Sequence, residues 1–343
     1  MVNQPQAPTP RYRAQYQLLE KALQGDQQGI HSVLQYLNAA NPDLRHMMQA
    51  TLHDCQDERV WQSLLECLAY GCWQAYGQVN ADQATTDQVF QSISEAFVID
   101  ESQAERQAKQ AVLLPALEDQ DLRLRRAAGY ILGLRGELRA LPALEETIDH
   151  GDDRWKGRAI HALVIIDDVR CGPPLVRALA DPDRLVHHSA GRALSELGRR
   201  AEPALLAALH HPDGHVRWHA ARALGQIGDP RAIDTLAEGL CDDNQEVRWT
   251  TARVLAYLDA PAIPAILSVL STQPMSEALR SAAYHALHSM SVQTQAYVAN
   301  LLQALSSPAT AQQAPPIARR LLAEWQYPNS HAVRFVEPRQ RMP

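Results

Sequence analysis

Long apolar runs, paired cysteines and the short signatures of nucleotide or hydrolase chemistry are all missing from this 343-residue chain. No stretch of about 18 uncharged apolar residues occurs, so nothing in it reads as a membrane-spanning helix. The segment Met1–Pro10 lacks the apolar core of a secretory signal and reads as a frayed tail. Five cysteines (Cys55, Cys67, Cys72, Cys171, Cys241) show neither metal-knuckle spacing nor an even-numbered framework, which points to reduced thiols and a cytoplasmic location. There is no Gly-rich phosphate loop, no Gly-x-Ser-x-Gly elbow and no His-Glu-x-x-His segment, so no catalytic residue is nominated and no cofactor is expected. Aromatic residues make up only 6% of the chain. A net charge of -7 and a pI near 6.0 weigh against a surface that grips nucleic acid throughout, though not against a local basic patch.

What is present is a repeat. Leu124-Arg125, Trp155-Lys156, Val186-His187, Val216-Arg217, Val247-Arg248 and Leu279-Arg280 open the same short text, and they stand 31, 31, 30, 31 and 32 residues apart. A unit this short cannot bury its own apolar face and must stack on its neighbours, which makes the array a solenoid. Val216, Ala220, Ala223, Leu224 and Ile227 fall on one stripe of a helix, and strand-style alternation is absent. Four residues before each basic anchor stands Asp121, Asp152, Asp183, Asp213, Asn244 or Ser276, a side chain suited to capping the start of this helix B. A shorter helix A precedes it, with Pro142, Pro173, Pro203, Pro230 and Pro264 at or near its first turn. Gly136, Gly198 and Gly228 are placed to close helix B in a left-handed conformation.

Tetratricopeptide and ankyrin repeats have similar lengths, but their signatures are missing. The line from Asp213 to Ala232, with its Val-Arg-x-x-Ala-Ala-Arg-Ala-Leu-Gly text, instead resembles the short HEAT-like repeat of the phycobilisome-lyase type. The resemblance spans about residues 113–290 and implies an all-α fold, an α-solenoid wound as a right-handed superhelix of HEAT-like helix pairs. That repeat serves scaffolds, bilin lyases, an iron hydroxylase and a glycosylase-like group, so it does not by itself choose a function.

The expected organisation is a disordered tail at 1–12, an N-terminal helical region of degenerate repeats or a cap at 13–112, the repeat array at 113–305, a linker and capping helix at 306–326, and an extended Pro/Arg-containing tail at 327–343. Amphipathic segments are expected at Tyr16–Leu23, Gly29–Leu37 and Val60–Tyr76, with the polar run Gln78–Gln88 as a loop. Thr294–Leu305 reads as one helix, the Ser306-Ser307-Pro308 and Ala314-Pro315-Pro316 stretches as linker, and Ile317–Trp325 as the last helix.

In a stacked array, equivalent positions become columns. The basic anchors Arg125, Lys156, His187, Arg217, Arg248 and Arg280 form the first, read as a ladder of internal acid–base contacts that holds the repeats in register. The second column lies one residue further on (Arg126, Gly157, His188, Trp218, Trp249, Ser281). A turn later it is joined by Tyr130, His161, Arg192, Arg222, Arg253 and His285. Its densest part, His188, Arg192, Trp218, Arg222, Trp249 and Arg253, is the candidate binding surface. Indoles beside guanidinium groups suit a ligand with a flat face and negative charge: a nucleotide, a tetrapyrrole propionate or an acidic-aromatic peptide.

The iron hydroxylase built on similar repeats holds its metal with His-Glu pairs just after the anchor. Here no Glu follows any anchor at those positions, which argues against a di-iron centre, and no metal is expected. The other histidines, His187-His188 and His210-His211 among them, read as separate helix-start and turn residues, and a cluster of His46, His53, Cys55 and Cys67 lacks ligand spacing. The reading that results is a non-enzymatic scaffold or adaptor whose partner is another protein, without membrane insertion. A bilin lyase-like or other cofactor-handling protein is the first alternative, and a glycosylase-like nucleic-acid binder the second. The glycosylase-like pattern also needs an Asp at the lesion, and Asp213 and Asp242 are already explained by helix starts.

Overall fold

The structure is a computed structural model that describes residues 58–70, 83–98 and 103–326. The segments Tyr16–Leu23 and Gly29–Leu37, both tails, and His46, His53, Cys55 and Cys72 lie outside the described residues. Among those described, the chain is helical and contains no strand, and none of its helices is long and apolar enough to cross a membrane. The chain divides into two compact units between Ile166 and Asp167.

The first unit contains α1 (Glu58–Tyr70), α2 (Gln83–Val98), α3 (Gln103–Leu117), α4 (Leu122–Leu134), α5 (Leu141–His150) and α6 (Asp153–Ile166). The run Gln78–Gln88, expected as a loop, enters helix α2 at Gln83, because Phe90, Ile93, Ala96 and Phe97 give that segment an apolar face to bury. Helices α1, α2 and α3 all pack on α4, which interlocks with α5 and α6. Trp61 and Phe97 are fully buried with ring centroids 5.0 Å apart. Beside them Lys109 and Glu105 form a buried ion pair at 2.5 Å, with the ammonium 4.5 Å from the Trp61 ring centroid.

The second unit runs through α7 (Gly172–Ala178), α8 (Arg184–Leu197), α9 (Glu202–Ala208), α10 (Gly214–Ile227), α11 (Ile233–Glu238), α12 (Gln245–Leu258), α13 (Ile263–Thr272), α14 (Glu277–His288), α15 (Val292–Tyr297), α16 (Ala299–Leu305) and α17 (Ala314–Gln326). Helices α8, α10, α12 and α14 pack in sequence as a row of B helices, and among the A helices α7 packs on α9 and α11 on α13. The stretch Thr294–Leu305 is two helices instead of one, interrupted at the buried Val298. Pro315 and Pro316, expected in a linker, sit in the first turn of α17, where a missing N–H costs little, and α17 packs against α13 and α16.

The repeat text explains this packing. Leu194, Leu224, Leu255 and Leu287 occupy one column and are each at most 1% exposed, so burial contributes about 1.5–3 kcal/mol apiece before entropy is counted. Asp121, Asp183, Asp213, Asn244 and Ser276 cap their helices through backbone N–H groups two or three residues on, as does Asp152 towards Trp155. At the end of helix B the chain turns through positive φ at Gly136 (71°), Asp167 (52°), Gly198 (56°), Gly228 (67°) and Asp259 (59°). Two repeats thus place an aspartate where a glycine would be unstrained. Asp167 pairs with Arg200 at 2.7 Å, and Asp259 accepts from the Thr294 hydroxyl at 2.8 Å and the Ser291 N–H at 3.3 Å.

Candidate functional site

The first column is tied down. Arg217 donates to the carbonyls of His211 and Pro212 in its own loop at 2.8 and 3.0 Å, and forks onto the Asp242 carboxylate of the next loop at 2.7 and 2.8 Å. Arg125 does the same to Asp119 and Gln120 carbonyls and to Glu146, and Arg248 clasps the Asp242 and Asp243 carbonyls. Arg280 reaches the Leu305 carbonyl at 2.6 Å and Glu277 at 2.5 Å. The charge-assisted bonds hold Glu146 and Asp242 below the usual carboxylate range, against the opposing effect of burial. The partners are loop carbonyls and, for Arg125 and Arg217, acids of the next repeat, whereas Arg280 takes Glu277 in the first turn of its own helix. The capping residue four positions earlier is not the partner, because it is spent on backbone N–H groups.

His187 is the exception. It occupies an arginine position, and its Nδ1 takes the equivalent loop carbonyl, that of Asp181, at 3.2 Å. Where Arg217 finds Asp242 25 residues on, the same step from His187 reaches Pro212, which offers no acid.

The second column stands open in this unit. Between α8 and α10 lies a cleft of about 380 Å³ lined by Leu185, His188 and Arg192 on one side and His219, Arg222 and Gln226 on the other. Gly191 makes room for it: a Cβ there would stand 3.1 Å from the His219 ring. Arg192 is 81% exposed and, among the described residues, pairs only with Glu196 on its own helix, at 3.4 Å. Arg222 and Arg253 are exposed, and neither pairs with a carboxylate among the described residues. Three of the six expected binding residues, His188, Arg192 and Arg222, therefore share one cleft. Trp218 adjoins it half-buried, with Arg222 5.6 Å from its ring centroid and His219 edge-on at 4.5 Å. Trp249, on the next B helix, is 37% exposed and meets the edge of His285 at 4.7 Å, and Arg253 lies one turn further along the same helix.

Sequence reasoning missed the imidazoles gathered around His219, which together with His188 lines the cleft. The ring of His187 lies 4.9 Å from His188, 4.7 Å from His215 and 5.4 Å from His219, and His215 lies 4.6 Å from His219. His219 is 4% exposed, and its Nε2 is buried without a hydrogen-bond partner. An orphaned buried polar atom costs about 1–3 kcal/mol. Burial, followed by the nearby imidazoles of His215, His187 and His188 and by Arg222, drives the His219 pKa down to about 3. Desolvation and His187 lower His188 as well, so both rings are neutral at physiological pH.

Residues 172–244 match the family model for HEAT repeats. Among solved structures, an engineered protein is 18% identical, with 91% of this chain and 95% of that chain covered and a TM-score of 0.35. Importin beta in an ammonium sulfate condition is 15% identical over 91% of this chain and 47% of its own, with a TM-score of 0.46. Kap95p, from a structure concerned with its binding to RanGDP, is 13% identical over 95% of this chain and 51% of its own, with a TM-score of 0.38. The chain thus spans about half the length of the latter two. No curated protein matches the sequence. The matched segment lies within the second unit, and its recurring helix pairs with carbonyl-clasping anchors are similar to HEAT repeats.

Proposed function

We propose that the chain is a non-enzymatic scaffold that binds an acidic, aromatic-bearing segment of a partner protein on the second column of its second unit. His188, Arg192, Trp218, Arg222, Trp249 and Arg253 carry the contact. The supporting observation is the contrast between columns: the first-column guanidinium groups are engaged by carbonyls or carboxylates, whereas Arg222 and Arg253 face solvent without a carboxylate. Solvated guanidinium groups beside half-exposed indoles have the composition of interface hot spots.

The first unit supplies a model for the ligand. There, Phe90 of α2 packs on Tyr130 and Trp155 with centroids at 5.6 and 5.7 Å, and the Arg158 guanidinium lies 3.4 Å from the Phe90 ring centroid. Asp87 of the same helix pairs with Arg154 and stands 3.7 Å from Arg158. Tyr130, Arg154 and Arg158 occupy the repeat positions of Arg222, His215 and His219. A helix presenting one acid and one aromatic ring is thus the chemistry that these positions accept.

Affinity capture from cell extract provides the test, comparing wild type with Trp218→Ala/Trp249→Ala and with Arg222→Glu/Arg253→Glu at unchanged helical content. Each hot-spot indole is expected to contribute about 2 kcal/mol or more to binding, so both variants should lose the captured protein. Undiminished capture refutes the reading. Capture of nucleic acid that falls steeply with salt would replace it with the nucleic-acid alternative.

A further inference from the structure

We propose that His187, His188 and His219 bind one divalent transition-metal ion of the zinc class, with its remaining coordination positions open to the cleft between α8 and α10. One nitrogen from each of the three rings lies within 4.8 Å of the others. Zn–N bonds of about 2.0–2.1 Å in a tetrahedral site put ligand atoms about 3.4 Å apart, so the rings need to close by a little over 1 Å. His188 is exposed and His187 half-buried, and both have room to make that adjustment.

The surroundings have the form of a metal site's outer contacts. Metal-binding imidazoles usually give their second nitrogen to a carbonyl or carboxylate, which fixes the tautomer and leaves the opposite lone pair bare. His187 Nδ1 is on the Asp181 carbonyl. On His219, Nε2 is buried with nothing to bond. Buried polar atoms without a partner are rare, and a cation would resolve this one.

An all-imidazole set favours zinc, nickel or copper and gives calcium or magnesium no oxygen to hold. It also differs from the His-Glu pairs of the iron hydroxylase, because His187 is recruited from the anchor column and no carboxylate belongs to the set. Three protein ligands leave a fourth position exchangeable. Arg192 and Arg222, which flank the cleft, would make an anion the preferred occupant of that position.

The test uses untagged full-length protein, stripped with chelator, titrated with zinc chloride by calorimetry and assayed for metal after gel filtration. One equivalent should be retained, with a rise in Tm, and cobalt(II) should give the visible d–d bands of a nitrogen-ligated site. His188→Gln and His187→Gln should each weaken zinc binding by at least roughly tenfold, since even loss of a supporting contact has that effect. His210→Gln, altering an exposed histidine elsewhere, should leave zinc binding unchanged. Retention of well under one equivalent by the wild type, or equal affinity in the His188→Gln and His187→Gln variants, overturns the site. None of these readouts requires a partner protein, so the outcome is separate from that of the scaffold reading.

Discussion

The two units use one repeat text and finish it differently. In the first, helix α2 lies over the B helices, seals Phe90 to 3% exposure and buries Arg158 far enough to lower its pKa to about 10, chiefly by desolvation. In the second, the Tyr130 position is taken by Arg192, Arg222 and Arg253, whose guanidinium groups stay exposed, while the Arg158 position holds the buried His219. The comparison teaches that the second column is not intrinsically a packing surface. It becomes one when an acid and an aromatic ring are supplied, and otherwise it is left available.

The largest effect should come from removing the cover. Phe90→Ala is expected to destabilise the first unit by about 3–5 kcal/mol, as truncating a buried aromatic ring does, while leaving the second unchanged. Hydrogen exchange resolved to α4 and α12 would read both at once. A loss below about 1 kcal/mol would mean that α2 merely rests on the surface, and the comparison would fail.

A second pair of variants separates the columns inside one helix. Arg217→Ala strands the Asp242 carboxylate, only 10% exposed, and should cost about 3 kcal/mol in urea unfolding, in the range for breaking a buried pair. Arg222→Ala, five residues on, should change stability by less than about 0.5 kcal/mol. Similar losses from both would show that the second column is structural after all.

The smallest effect is tested by pH at the turn that follows α10. The Arg231 side chain and backbone N–H hold the Asp229 carboxyl at about 2, below its ordinary 3.8. A depressed folded-state pKa means that the unfolded chain binds the proton first. The contribution is therefore complete above pH 3.8 and is lost as pH falls towards about 2. Asp229→Asn should flatten the stability profile in that window and leave the cleft's zinc binding unchanged. A steep acid limb that persists in the variant would assign it to other carboxylates.

Much of the architecture was legible because it is written once per repeat. The capping side chains, the helix-A prolines and the glycines at positive φ all appear at fixed offsets, and each has a local physical reason that neighbours do not override. The cleft was half legible: His188, Arg192 and Arg222 share a column and do meet. The imidazole group was not, because it forms diagonally. His187 comes from the anchor column, while His215 and His219 lie two residues before and two after the next anchor, so reading down single columns never sets them side by side. Helix α2 was hidden for another reason. It follows no repeat, and its polar first turn masks the apolar face that begins at Phe90. Val298 likewise interrupts an apolar stretch that carries no breaker residue.

The aspartates that turn the chain after α6 and α12 give assembly a direction. Each holds a backbone geometry that only glycine adopts freely, and each is compensated by groups encoded some thirty residues later: the Arg200 side chain for Asp167, the Ser291 N–H and the Thr294 hydroxyl for Asp259. A chain emerging from the ribosome would carry the strain first and find its relief one module afterwards. These two joints are therefore the points at which a partly synthesised array is least committed, and at which completing the next module locks the one before it.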